Sequence, residues 1–280
     1  MTGTSACAQL PTHSVLPVAQ EQAQGQAQEE GVAGMEKRAS SWRWNTGGSL
    51  LVTAYGLAFW DWGSSSFHGR SEGWLSSDTR SGGADKFGHA WFASVMTAIS
   101  ADHFRAQGHS DREAALHGAL SGVLFSSVIE LGDGFSAEHG FSWEDQAFNL
   151  AGVGLEYLRQ RSPWVHERVH FRWEWAPSRA MRAGDTDDPS TDYSGSNYLL
   201  AFPLRGWGMK EKPWRWLELQ TGYFTRGYGK SAPYYPQERE AFVGLGFDLT
   251  GLLQDGVGHD GWSVLRYFQP RLPGSVLRVD

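Results

Sequence analysis

Cysteine is almost absent: Cys7 is the only one in 280 residues. That excludes an intramolecular disulfide and a zinc site built on thiolates. Charge is scarce too, at 20% of the chain, against about 25% in soluble domains. Basic residues fall short of acidic ones, 24 against 31, for a net charge of -7. The basic face that phosphate neutralisation requires is missing, so nucleic acid is excluded as a partner. No uncharged apolar run reaches the roughly 20 residues of a membrane span. The longest are about 15–17 residues, between a span and a buried core helix. No nucleophile elbow, phosphate loop or EF-hand is recognised. Gly244 and Gly246 lie in a strand pattern with no following helix, which excludes a dinucleotide fingerprint.

What is abundant is tryptophan and glycine, 14 and 35 residues. Aromatic enrichment with little charge fits a membrane-associated or strand-rich protein better than a cytosolic enzyme, so a membrane is the expected partner. Residues 1–12 carry no basic n-region and no apolar h-region. Ser5-Ala6-Cys7-Ala8-Gln9 nevertheless resembles the small-residue end of a signal peptide whose upstream part is missing. Cys7 is the residue a lipid would take, against an incidental cysteine in a tail.

The chain divides by composition into three parts. Residues 1–43, rich in Gln, Ala and Glu, read as a disordered tether. Residues 44–160 hold four short apolar helix candidates. Ser110-Asp111-Arg112-Glu113 fits a capping box, and Ser142-Trp143-Glu144-Asp145 is an acidic variant of it. Gly118, Gly122 and Ser126 recur every four residues, a stripe that lets a neighbouring helix come close. Residues 161–280 are β-rich. Val165, Val169, Phe171, Trp173 and Trp175 alternate with polar residues, and three further strand candidates follow the linker 176–197. In the last of them Val243, Leu245, Phe247 and Leu249 line one face. The expected fold is α+β, a compact bundle of about four short helices followed by a small antiparallel sheet.

One constellation carries chemistry. Asp85 and His89 are four residues apart, as are Asp145 and Asn149, so each pair shares a helical face. Glu130 and Asp133 close the intervening helix, and Lys86 adjoins Asp85. If neighbouring helices run antiparallel, all of these groups fall at one end of the bundle. Asp85, His89, Glu130 and Asp145 are candidate ligands for a divalent metal that would activate water, although no H-E-x-x-H or E-x-x-H motif is recognised. No cofactor is assigned beyond that. The competing reading is structural: first-turn acids that cap amides, Glu130 paired with Lys86, and Asn149 bonded across helices. His139 and Glu138 read as a solvated loop.

The segments D-K-F-G-H from Asp85, E-L-G-D-G from Glu130 and G-F-S-W-E-D-x-x-x-N-L-A-G from Gly140 resemble the YfiM-type family of predicted bacterial periplasmic lipoproteins. That family's domain has no established function. The likeness covers about residues 80–160. D-Y-S-G-S-N-Y-L-L and R-E-A-F-V-G-L-G-F-D-L are similar to the tail of longer members. The order D-K-x-x-H, E, D-x-x-x-N-x-x-G is more distantly similar to VanZ-like membrane proteins. The resemblance implies a location in the cell envelope and puts Asp85, Lys86, His89, Glu130, Asp133, Asp145 and Asn149 at motif positions. It assigns none of them a catalytic role. The expected function is that of a structural or scaffolding envelope protein. The alternative is a metal-dependent hydrolase acting on a lipid or cell-wall precursor.

Overall fold

A computed structural model describes residues 16–71, 73–257 and 260–271; Cys7 lies outside them. By compactness the chain forms two units, Met1–Arg43 and Trp44–Asp280. The first helix, α1, runs Leu16–Phe59. Residues 16–43 are therefore helical and not the disordered tether expected. Ala, Gln and Glu are good helix formers, and that propensity outweighs the lack of an apolar face.

In the second unit, α1 is followed by α2 (Ala84–Ala106), α3 (Asp111–Asp133) and α4 (Trp143–Arg161). The capping box forms: Ser110 Oγ accepts from Glu113 N at 3.3 Å and Glu113 Oε2 accepts from Ser110 N at 3.0 Å. Ser142 Oγ accepts from Asp145 N at 3.2 Å and starts α4. The small-residue stripe does what its spacing implies. A Cβ on Gly118 would meet the Thr97 carbonyl and Ala101, and one on Gly122 would meet Thr97 and Ala93. Dispersion contacts between backbones replace side-chain packing there. The apolar part of α1 closes over this bundle, with Val52 and Trp62 packed on Phe125 and Ile129.

Two short helices, α5 (Pro163–Arg168) and α6 (Arg179–Ala183), flank the first strand, β1 (His170–Trp175). The alternation from Val165 is thus strand-like only from His170. Ser162 caps α5 and Pro163 suits its first turn, so the helix wins locally. Strands β2 (Ser196–Pro203), β3 (Leu217–Arg226) and β4 (Glu238–Phe247) follow, then α7 (Leu249–Val257) and β5 (Phe268–Pro270). The order is β4-β3-β2-β1-β5. Neighbours are antiparallel except β1 and β5, which run parallel. The expected antiparallel sheet is therefore a mixed one of five strands. The seven α-helices among the described residues also exceed the four expected.

Phe171, Tyr198 and, less fully buried, Trp173 and Tyr223 pack against Ala84, Phe87, Ala90 and Trp91 of α2. The same sheet face continues outward as Leu219, Val243, Leu245 and Phe247, which are 44–60% exposed. The opposite face buries charge: both Nη atoms of Arg172 donate to Glu218, Nη2 at 3.0 Å, and Glu174 stands 3.9 Å away.

Candidate functional site

The starts of α2 and α4 meet the end of α3, and that junction is built from local rules. Gly83 precedes α2 with φ 89°, a left-handed conformation that a side chain would resist. The turn it makes places Asp85 and Lys86 in the first helical turn. Asp85 Oδ1 accepts from Ser81 Oγ at 2.7 Å and from Lys86 N at 2.9 Å. The Ser142 cap directs Asp145 and Asn149 inward from α4, where both are buried.

All seven residues singled out in the sequence come together at this junction. Lys86 is completely buried, with Nζ 2.9 Å from Asp145 Oδ1 and 3.3 Å from Asp85 Oδ2. His89 Nδ1 is 3.0 Å from Glu130 Oε1, and Asn149 Nδ2 donates to that same oxygen at 3.1 Å. Asp133 Oδ1 accepts from Trp62 Nε1 at 2.7 Å. Glu130 Oε2 and Asn149 Oδ1 are buried and have no hydrogen-bond partner among the described residues. One ligand atom from each of His89, Glu130 and Asp145 lies within 4.8 Å of the others. Asp85, the fourth candidate ligand, faces Ser81 and Lys86 and is outside this trio.

The junction is not sealed. A cavity of about 140 Å3 reaches it, lined by Asp85, His89, Asp133 and Asp145 on the polar side. Trp60, Trp91, Trp173, Tyr193 and Tyr198 form much of its other wall, and His139 closes one side. His139 is therefore part of the site's wall and not only a solvated loop residue. Glu138 does stay at the surface, 3.1 Å from Arg80. Trp91 comes from α2 itself, whereas Trp60 just after α1, Trp173 on β1, Tyr193 just before β2 and Tyr198 on β2 are distant in sequence. The aromatic wall's one sequence signal was D-Y-S-G-S-N-Y, which holds both tyrosines.

Electrostatics follow from this packing. Burial alone would lower the His89 pKa, but the Glu130 and Asp145 carboxylates outweigh it and raise it to about 10. Burial pushes the Asp133 carboxyl up to about 7, with His89 and the Trp62 hydrogen bond opposing. Burial also lowers the His139 pKa.

Both large shifts slope stability the same way in the metal-free protein. His89 contributes fully below its ordinary 6.5, and that contribution is lost as pH rises through about 10. Asp133 in the fold resists ionising, so stability falls from its ordinary 3.8 up through about 7. Thermal melts with a chelator present should therefore fall between pH 6.5 and about 10, and His89→Gln should flatten that limb. An identical slope in the variant would show that His89 is not held as an imidazolium.

Residues 71–161 match the family described as predicted periplasmic lipoprotein (DUF2279). The matched stretch contains all seven cluster residues and stops before the sheet. That description agrees with the cell-envelope location expected from the sequence. No curated protein and no solved structure matches the chain.

Proposed function

We propose that this is a membrane-associated envelope protein that holds a divalent cation at His89, Glu130 and Asp145. Its substrate class is a small envelope-derived molecule, a lipid or cell-wall precursor, and its reaction is hydrolysis. The observation that carries this reading is the cavity: side chains that only fix helix register need no opening to the outside. One imidazole and two carboxylates suit manganese, iron or zinc better than calcium. With His89 neutral, as a ligand must be, the four acids and Lys86 of the cluster carry a formal charge of -3, most of which a divalent ion offsets. Such a cation acidifies bound water, and Asp133, poised near 7, is the group beside it that holds or returns a proton. The aromatic wall supplies apolar contact for the rest of the molecule.

Membrane association is supported by an outward leucine row on α3. Leu116, Leu120, Leu124 and Leu131 are all exposed, an apolar area that water alone does not favour. By length and composition α3 also qualifies as a helix able to cross a membrane, with half of its most apolar stretch buried.

The scaffold reading keeps one observation in its favour, the complete burial of Lys86 between acids from two helices. Calorimetric titration with Mn2+ at neutral pH separates the two. Binding should release about one proton per ion, because His89 must give up its proton to ligate. His89→Ala should abolish uptake, and its melting loss in chelator should shrink as the pH is raised towards about 10, where the imidazolium contribution is gone. No uptake by the parent protein, or uptake unchanged in His89→Ala, would favour the scaffold.

A further inference from the structure

A second cavity, of about 220 Å3, lies between α5, the start of β1, the turn after β2 and α7. Its wall includes His166, Glu167 and His170, which read H-E-x-x-H, so the chain does hold that motif, contrary to the expectation that it is absent. On one helix that spacing puts two imidazoles on a metal. Here α5 ends at Arg168 and His170 begins β1, so the two rings sit on different elements. His166 Nε2 already accepts from Arg266 Nη1 at 3.0 Å.

The surroundings are wrong for a cation. Arg205, Lys210 and Arg266 line the cavity against Glu167 and Asp248. Lys210 is 4.0 Å from Glu167, and Arg205 bonds Asp255 Oδ1 at 3.1 Å. Buried Arg159 adds a further positive charge that acts on His166, His170 and Arg266. Its nearest carboxylate, Glu156, is 3.5 Å away, and its guanidinium nitrogens have no hydrogen-bond acceptor. Burial and these arginines hold His166 at about 4, a neutral ring.

Three residues lining this cavity each carry a buried polar atom with no hydrogen-bond partner among the described residues: His170 Nδ1, Thr250 Oγ1 and Arg205 Nη1. Arg205 Nη1 stands 3.9 Å from Asp248, beyond hydrogen-bond reach. An imidazole N–H, a hydroxyl and a guanidinium can all donate, and unmet donors in a buried site are costly. The geometry points to an oxyanion site: this cavity binds a phosphate group, held by Arg205, Thr250, His170 and Arg266. It is separate from the His89 junction and does not depend on what that junction does.

The test titrates the full chain with inorganic phosphate and, separately, with glycerol phosphate, a soluble phospholipid headgroup, by calorimetry. Saturable binding is expected, weakened at least tenfold by Arg205→Gln and by Thr250→Val, with circular dichroism unchanged. Thr250→Val replaces the hydroxyl by a methyl of similar size, so it removes the donor with little change of side-chain shape. Tighter binding of glycerol phosphate identifies the source as a lipid headgroup, and equal or tighter binding of inorganic phosphate identifies free phosphate. Absence of saturable binding by both, or binding indifferent to both variants, would overturn the assignment. So would Zn2+ uptake abolished by His166→Ala, which would restore the metal reading of the motif.

Discussion

Replacing Lys86 by Met should lower the unfolding free energy by about 3–5 kcal/mol, because Asp85 and Asp145 would stay buried without their cation. For a unit of this size that is a fall in melting temperature of roughly 6–20 °C. The ammonium has no solvent exposure and lies 2.9 Å and 3.3 Å from the two carboxylates, so water cannot replace it. Adding Asp85→Asn and Asp145→Asn to the same chain should recover most of the loss, since a neutral set no longer leaves uncompensated charge. Chemical denaturation of the three proteins checks this. A loss below about 1 kcal/mol in Lys86→Met would mean that the acids take up protons at little cost. The triple variant would also lose the proposed cation, which removes Asp145 as a ligand without unfolding the bundle.

Gly152→Val should cost about 3 kcal/mol, although the residue is neither charged nor in the cluster. A Cβ at Gly152 would run into the backbone of Ala90, whose carbonyl carbon would be 2.7 Å away. Backbone cannot rotate aside as a side chain can, so α2 and α4 must separate. They carry Lys86 and His89 on one side and Asp145 and Asn149 on the other. Weakened Mn2+ uptake should therefore accompany the lost stability. Two residues along the same helix, a Cβ at Gly154 meets nothing within 4 Å. Gly154→Ala should stabilise α4 by up to about 1 kcal/mol through helix propensity alone. Equal effects at the two glycines would contradict the close helix approach.

The contrast between these glycines shows what the sequence could and could not reveal. Rules that act within one turn were legible: the Ser110 and Ser142 caps, the Gly118-Gly122-Ser126 stripe and the two i,i+4 polar pairs. Those pairs sufficed to place Asp85, His89, Glu130 and Asp145 at one end of the bundle. Partner choice inside the cluster was not legible. Glu130 was offered to Lys86, yet it takes His89 and Asn149, because which acid meets the ammonium depends on helix rotation. Trp60, Trp91, Trp173 and Tyr198 converge only after the sheet docks on α2, so no local pattern announces them. The three-residue β5 is too short to show a period. The alternation in β4 holds as far as Phe247, but Leu249 opens α7 and is not on that strand face; Val243, Leu245 and Phe247 face outward, since burial depends on what covers a face and not on its period. The stretch 16–43 has helix-forming composition but no apolar period, so its pattern alone points to a tether while its propensity favours the helix.

The burial of Lys86 also turns the junction into its own reporter. The chain has five lysines, and the other four are at least partly exposed. A small amine-reactive reagent will therefore modify Lys37, Lys210, Lys212 and Lys230 in the folded protein and leave Lys86 untouched. Lys86 reacts only when α2 and α4 part, so its rate of modification measures how often the site opens. Any molecule that settles at His89, Glu130 and Asp145 closes that route, and its arrival can be read in a peptide mass spectrum before the molecule is known.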